Sequence, residues 1–279
     1  MNAPSSSTPV PPSSAHTTRP FKTEPFVAVP WERADLDSIV SRPFGIYLHV
    51  PFCTSRCGYC DFNTYALRTF PPGPAGDPIA HWAEQLTKEL RLGAQILTDH
   101  NITPPAANTV FFGGGTPSLL GRQLPKILDV VRECFGIAPG AEITSEANPE
   151  STSPELFDCW RAGGVNRLSL GMQSSEPRVL ALLDRQHDPA RAVAAIEEAQ
   201  AAGFEHLNLV LIYGTPGETT DDVARSVDTV LATGVDHVSA YALTIEPGTA
   251  LFRKVAHGEI DPIDDDMQAD RYYQIDAAL

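Results

Sequence analysis

Ile46-Tyr-Leu-His-Val-Pro-Phe-Cys-Thr-Ser-Arg-Cys-Gly-Tyr-Cys-Asp-Phe62 decides how this chain is read. Residues 46–50 have the apolar, β-branched character of a strand, and the loop behind them carries Cys53, Cys57 and Cys60. Three thiols this close on one loop can close around a single inorganic centre. Thiolate-rich sites select iron–sulfur clusters, zinc or copper(I), so the spacing by itself does not name the metal. Three thiolates suit a four-iron cluster with one iron left open. A structural zinc wants four protein ligands, and His49, four residues before Cys53, would complete a Cys3His set. An adventitious group of cysteines is the third reading.

Working outward from that strand, the chain alternates short β-branched runs with longer helical patterns at intervals of roughly 30 residues, as βα units do. The strands expected are 46–50, 109–112, 142–146, 167–170, 206–212 and 237–243. Between the first two, Ile79, Trp82, Leu86, Leu90 and Leu97 recur at helical steps. Further helices are expected over 124–135, 154–162, 190–202 and 220–232. Six strands joined by helices predict an α/β fold: a parallel sheet curled into an incomplete (β/α)6 barrel with outer helices. Periodicity alone leaves a doubly wound sheet open as the alternative.

The polar and glycine signals sit just behind those strands. Gly113-Gly-Gly-Thr-Pro117 follows the second and Glu146 closes the third. Gly171-Met-Gln173 follows the fourth, and Tyr213-Gly-Thr-Pro216 the fifth. In a parallel barrel these segments and the cysteine loop open together on the carboxyl-end face, where active sites are built.

Composition limits the partners. With 279 residues, a formal charge of -15 and a pI near 4.8, the chain lacks the clustered Lys and Arg of a nucleic-acid footprint. The expected partner is a small substrate or a protein. Five cysteines, an odd number, without a leader or an apolar stretch of about 18 residues, predict a reducing cytoplasm and no integral membrane segment. Cys134 and Cys159 fall apart from each other in helical segments and read as buried apolar packing residues. Residues 1–25 are dominated by Ser, Thr and Pro and read as a disordered tail, with 26–279 forming the barrel. Phe70-Pro-Pro-Gly-Pro-Ala-Gly-Asp-Pro78 is loop punctuation within it.

The C-x3-C-x2-C spacing with Tyr59 before the last cysteine, together with Gly113-Gly-Gly-Thr-Pro117, resembles the radical S-adenosylmethionine (radical SAM) superfamily over about residues 44–279. The run 47–53, Glu146-Ala-Asn-Pro149, Arg167-Leu-Ser-Leu-Gly-Met-Gln173, Ile212-Tyr-Gly-Thr-Pro-Gly217 and Leu243-Thr-Ile-Glu-Pro-Gly-Thr249 narrow this to its oxygen-independent coproporphyrinogen oxidase-like group. Nothing in a zinc site calls for these other loops.

The resemblance implies a 4Fe–4S cluster on Cys53, Cys57 and Cys60, and S-adenosylmethionine bound on its open iron. It implies ligand contacts from Tyr47, Gly113, Gly114, Gly115, Thr116, Glu146, Gln173 and Arg185. An alternative reading pairs Glu146 with Arg185 as a structural ion pair and lets Gln173 cap its turn. An electron donor such as flavodoxin or ferredoxin is implied as well. Phe62 stands where coproporphyrinogen dehydrogenases carry a fourth cysteine, and Asp61-Phe-Asn63 resembles the haem chaperone (HemW) branch, whose members bind haem and pass it to acceptor proteins. The alternatives are a coproporphyrinogen III oxidative decarboxylase acting on a porphyrinogen, or a degenerate, non-catalytic barrel.

Val210 occupies the place where the family carries an Asp for the ribose hydroxyls; Asn208, two residues earlier on the same strand face, is the candidate substitute. Residues 267–279 read as a helix with no stop signal, and the haem-associated H-N-x-x-Y-W motif of the branch does not occur. The expectation is a barrel without the family's carboxyl-terminal domain. His49, His187, His237 and His257 read as solvated or hydrogen-bonded histidines, so haem rests on the resemblance alone.

Overall fold

The computed structural model describes residues 38–70 and 76–279. The tail expected over 1–25, and the middle of the Pro/Gly punctuation after Phe70, lie outside them. Six parallel strands form one sheet: β1 (Gly45–Val50), β2 (Ala107–Gly114), β3 (Ile137–Ala147), β4 (Arg167–Gln173), β5 (His206–Tyr213) and β6 (His237–Ala242). Their order in the sheet is their order in the chain. A doubly wound sheet would reverse direction at a switch point, so that alternative is out. Phe111 on β2 and Tyr241 on β6 nevertheless line one cavity, which requires the sheet to curl. β1 and β6 do not pair, leaving the barrel open.

The pleat divides the chemistry between the two faces. Leu48, Val50, Val110, Phe112, Ile143, Leu168, Leu170, Leu207 and Leu209 point outward and are buried. They pack beneath α1 (Pro78–Asp99), α2 (Gln123–Phe135), α3 (Pro154–Gly163), α5 (Pro189–Ala201) and α6 (Thr220–Thr233), with α4 (Pro177–Leu182) short and separate. Leu124, Ile127, Leu128 and Val131 supply the α2 stripe, and Phe157 and Trp160 that of α3. Each such side chain contributes about 1.5–3 kcal/mol by burial. The same alternation turns Tyr47, Thr144, Glu146, Arg167, Ser169, Asn208 and Ser239 to the inner face.

Helix starts are set by local signals. Asp77 accepts from the Ile79 amide at 3.0 Å ahead of Pro78, and Thr219 with Asp222 forms a reciprocal capping box for α6. Two helices were not expected from periodicity, α4 and α7 (Ala250–Ala256). The last helix, α8 (Asp265–Ala278), starts two residues before the expected 267 because Asp264 caps it. β3 begins at Ile137 rather than 142: Pro139-Gly140 looks like a turn, but Gly140, at φ 76°, is carried within the strand. Cys134 and Cys159 sit on α2 and α3 as expected, but they are half-buried rather than buried, and of the two Cys134 packs against the core.

Candidate functional site

The cysteine loop is closed at its base. Phe52–Cys53 pairs with Tyr65–Ala66 as a two-residue parallel ladder, and Cys60 N–H donates to Cys57 O at 3.2 Å. The loop tip is clamped from outside: Gly58 N–H donates to Leu183 O at 3.1 Å while Gly58 O accepts from Leu251 N–H at 2.8 Å. Arg185 brings its Nη1 to 3.3 Å from Cys57 Sγ, and Cys60 Sγ lies 3.7 Å from Thr64 Oγ1. Burial pushes the Cys53 thiol up, partly offset by hydrogen bonds from Thr116 and Thr64. His49 is not free to act as a fourth ligand. Its Nε2–H donates to Asn63 O at 2.9 Å, and its Nδ1 accepts the Tyr47 hydroxyl at 2.9 Å. Among the described residues no group of three or more His, Cys, Asp or Glu closes on a single-ion site.

The glycine loop lies against that thiol. Gly115 N–H donates to Val50 O at 2.7 Å. A Cβ on Gly115 would stand 2.5 Å from Phe52 O, 2.9 Å from Val50 O and 3.0 Å from Cys53 Sγ, so only glycine lets the two loops approach. The Gly114 amide donates to Glu146 Oε2 at 3.0 Å. Burial raises the Glu146 carboxyl above its ordinary range, with that amide and nearby His49 pulling the other way.

Opposite, Gln173 adopts φ 62°, rare for a side chain with a Cβ, and sits where the β4–β5 register shifts between Gly171 and Gln173. Ser174 N–H returns to Met172 O at 2.9 Å, closing a three-residue turn on Gln173. Such turns store about 1–3 kcal/mol of strain and cluster at functional sites. Gln173 Oε1 is buried without a hydrogen-bond partner, so it is not capping the turn. Arg185 does not pair with Glu146 either. Its Nη2 donates to Asn148 Oδ1 at 2.7 Å and approaches Gly171 O at 3.4 Å, and its Nε is buried without a partner.

These groups enclose a cavity of about 750 Å³. Of the residues singled out in the sequence, Cys53, Cys57, Cys60, Gly114, Gly115, Thr116, Glu146, Gln173, Arg185 and Asn208 line it, and so do Phe62 and Val210. Tyr47 and Gly113 stand just outside the wall, where Gly113 makes room for the Tyr47 and Phe111 rings. The loop after β5 is also outside it: Gly214 N–H donates to Glu218 Oε2 at 2.8 Å and a Cβ on Gly214 would stand 2.5 Å from Gln268 Nε2, so only Ile212 from that motif reaches the cavity. Asn208 is heavily engaged. Its amide donates to Ser169 Oγ at 2.8 Å and Ser239 Oγ at 3.1 Å, and its oxygen accepts from His237 Nδ1 at 2.8 Å. Val210, its neighbour on that face, presents only hydrocarbon.

Sequence reasoning left Asn148, Gly58 and Leu183 without roles, although each ties one loop to another. Asn148 lay within a quoted motif, and its polarity beside Glu146 was the available signal. The contacts of Gly58 and Leu183 join residues 125 apart in the chain and leave no local pattern.

The family model of the radical SAM superfamily matches residues 47–230. The chain belongs to that superfamily. The heme chaperone HemW of Mycobacterium tuberculosis (strain ATCC 25618 / H37Rv) is 54% identical over 255 residues, covering 91% of this chain and 63% of that protein. HemW of Escherichia coli (strain K12) is 35% identical over 210 residues, 74% of this chain and 52% of the relative. The radical SAM enzyme coproporphyrinogen III oxidase (HemN) from Escherichia coli superposes with a TM-score of 0.74 at 27% identity, over 88% of this chain and 55% of the enzyme. The chain thus spans little more than half the length of the relatives it matches. Radical SAM proteins generally bind a 4Fe–4S cluster and S-adenosylmethionine, and the donors here fit both. Three soft thiolates with no fourth protein ligand among the described residues suit a cluster with one open iron, and the glycine cradle with the unpartnered Gln173 and Arg185 atoms suits a polar ligand beside it.

Proposed function

We propose that this chain is the radical SAM portion of a haem chaperone of the HemW type. In this reading Cys53, Cys57 and Cys60 hold the cluster, and Gly114, Gly115, Thr116, Glu146, Gln173 and Arg185 receive S-adenosylmethionine, with Gly113 and Tyr47 supporting them from outside the wall, Tyr47 through His49. Asn208 is the candidate for the ribose. The observation that carries the reading is the convergence of the cysteine loop, the Gly114–Thr116 backbone, Glu146, Gln173 and Arg185 on one cavity wall.

When bound and reduced by an electron donor, the cluster would supply the electron that splits the sulfonium C–S bond of S-adenosylmethionine into methionine and a 5'-deoxyadenosyl radical. The chain's own residues position and shield. The Glu146 carboxylate is aimed by the Gly114 amide and suits an ammonium group. Arg185 is a fixed guanidinium suited to a carboxylate, held between Cys57 and Asn148. Gln173 supplies a preformed amide oxygen. Haem, an acceptor protein and an electron donor such as flavodoxin or ferredoxin are the partners this reading implies. The Asp61-Phe-Asn63 continuation and the 54% identity to the M. tuberculosis relative support it over coproporphyrinogen oxidation.

The likeness to HemN supports the second reading, an oxidative decarboxylase. Anaerobic reconstitution with iron and sulfide, followed by separate assays of haem binding, S-adenosylmethionine cleavage and coproporphyrinogen turnover, separates the two. Haem bound without turnover is the expected result. Iron and sulfide near zero, with zinc retained stoichiometrically, would overturn the cluster assignment.

A further inference from the structure

His187 is the least explained polar group near the site. It is buried, with a side chain 0% exposed, yet it lies outside the cavity wall. A backbone carbonyl can only accept, so its contact of 3.0 Å to Met172 O makes Nε2–H the donor. That carbonyl is the one that closes the strained turn on Gln173, already accepting Ser174 N–H at 2.9 Å. Nδ1 is buried without a hydrogen-bond partner, 3.7 Å from the Glu150 carboxylate. Burial, together with the positive charge of Arg185, holds the imidazole pKa below its usual value, favouring the neutral ring with its proton on Nε2.

Two residues before it, Arg185 reaches Cys57, and Leu183 O receives the Gly58 amide. Residues 183–187 therefore touch the cysteine loop at one end and the Gln173 turn at the other. We propose that His187 is a positioning residue for ligand binding: its Nε2–H holds the Met172 carbonyl, and through it keeps Gln173 in its place on the cavity wall. The proposal rests on the S-adenosylmethionine reading given above. A donor that stabilises a strained turn saves the ligand the cost of forming it.

The test compares anaerobically reconstituted wild type with His187→Gln, which keeps an N–H at the same reach, and His187→Met, which fills the space without a donor. Three quantities are measured: iron and sulfide per chain, S-adenosylmethionine affinity by calorimetry, and amide hydrogen exchange over residues 171–175 without added ligand. His187→Met should retain the cluster, bind about three- to tenfold more weakly, and exchange faster over that segment. His187→Gln should recover both to within about twofold. Equal affinity and exchange in wild type and His187→Met would overturn the proposal. So would the same loss in both variants, since ring packing rather than the donor would then be responsible. If His187→Met fails to fold or loses its cluster, His187→Asn replaces it, its amide being too short to reach the carbonyl; loss there with retention in His187→Gln supports the proposal, and equality overturns it. A wild type that binds no S-adenosylmethionine would sink the functional reading, and exchange alone would then decide whether His187 holds the turn.

Discussion

Glu146 carries the clearest electrostatic consequence of a single residue. Its carboxyl titrates higher in the folded chain than in the unfolded one, chiefly because of burial. The folded state therefore binds more protons across that interval, and stability falls as pH rises through it. Glu146→Gln removes the buried charge while keeping an oxygen for the Gly114 amide. On the cluster-free chain it should raise Tm by about 2–4 °C at pH about 7 and by much less at pH about 4. Thermal melts at the two values check this, and an equal shift at both would show that burial of the charge is not the cause. Val210 is the second residue-scale case. It faces the cavity between Gly171 and Ser239 in the register, and Asn208 below it has its amide and its oxygen engaged. Val210→Asp should tighten S-adenosylmethionine binding about ten- to a hundredfold, the worth of a carboxylate accepting hydroxyls. Calorimetry showing no change would mean that the ribose hydroxyls are met elsewhere.

At the scale of elements, what matters is which wall can yield. A methyl on Gly115 meets two backbone carbonyls, Phe52 O and Val50 O, whereas one on Gly58 meets first the Asp184 carboxylate, 2.4 Å from its Oδ2. A side-chain end can swing aside and a strand cannot. Gly115→Ala should thus cost about 1–3 kcal/mol and most of the iron taken up on reconstitution, while Gly58→Ala should keep most of it. Iron per chain in the two variants decides, and the reverse order would refute the ranking. The six strands and the longer helices were legible because alternation and helical periodicity follow from packing one face of each element. The short α4 and α7 were not, since six or seven residues hold too few periods to register. The site was legible where it depends on residue type: thiols, glycines, Glu146. It was illegible where it depends on position, as with His187 beneath Met172, or Gly214, whose motif suggested a cavity wall and whose loop instead packs against α8.

At the scale of the whole molecule, one sheet separates a hydrocarbon core from the cavity that gathers the thiols, Glu146, Gln173 and Arg185, and the exposure of that cavity bears on the chemistry. Phe62 at its mouth is 61% exposed, and Tyr241 on the edge strand β6 is 60% exposed. Neither edge of the sheet is paired among the described residues. A carbon radical formed in such a space meets water and solvent thiols, and exclusion of both is part of what an oxidative site supplies. By the resemblance drawn from the sequence, Phe62 also falls where a coproporphyrinogen dehydrogenase would carry a further thiol. Reductive cleavage, by contrast, would need a reductant, the proposed cluster and the loops assigned to its ligand, and those loops share one cavity wall. The expected outcome for this chain is slow, uncoupled release of 5'-deoxyadenosine, with decarboxylated porphyrinogen at background. One anaerobic reaction, supplied with reductant, S-adenosylmethionine and coproporphyrinogen, measures both products. Their stoichiometric appearance would promote the oxidase reading over the chaperone, because a chain that couples the two must close its cavity around the substrate despite the exposed mouth.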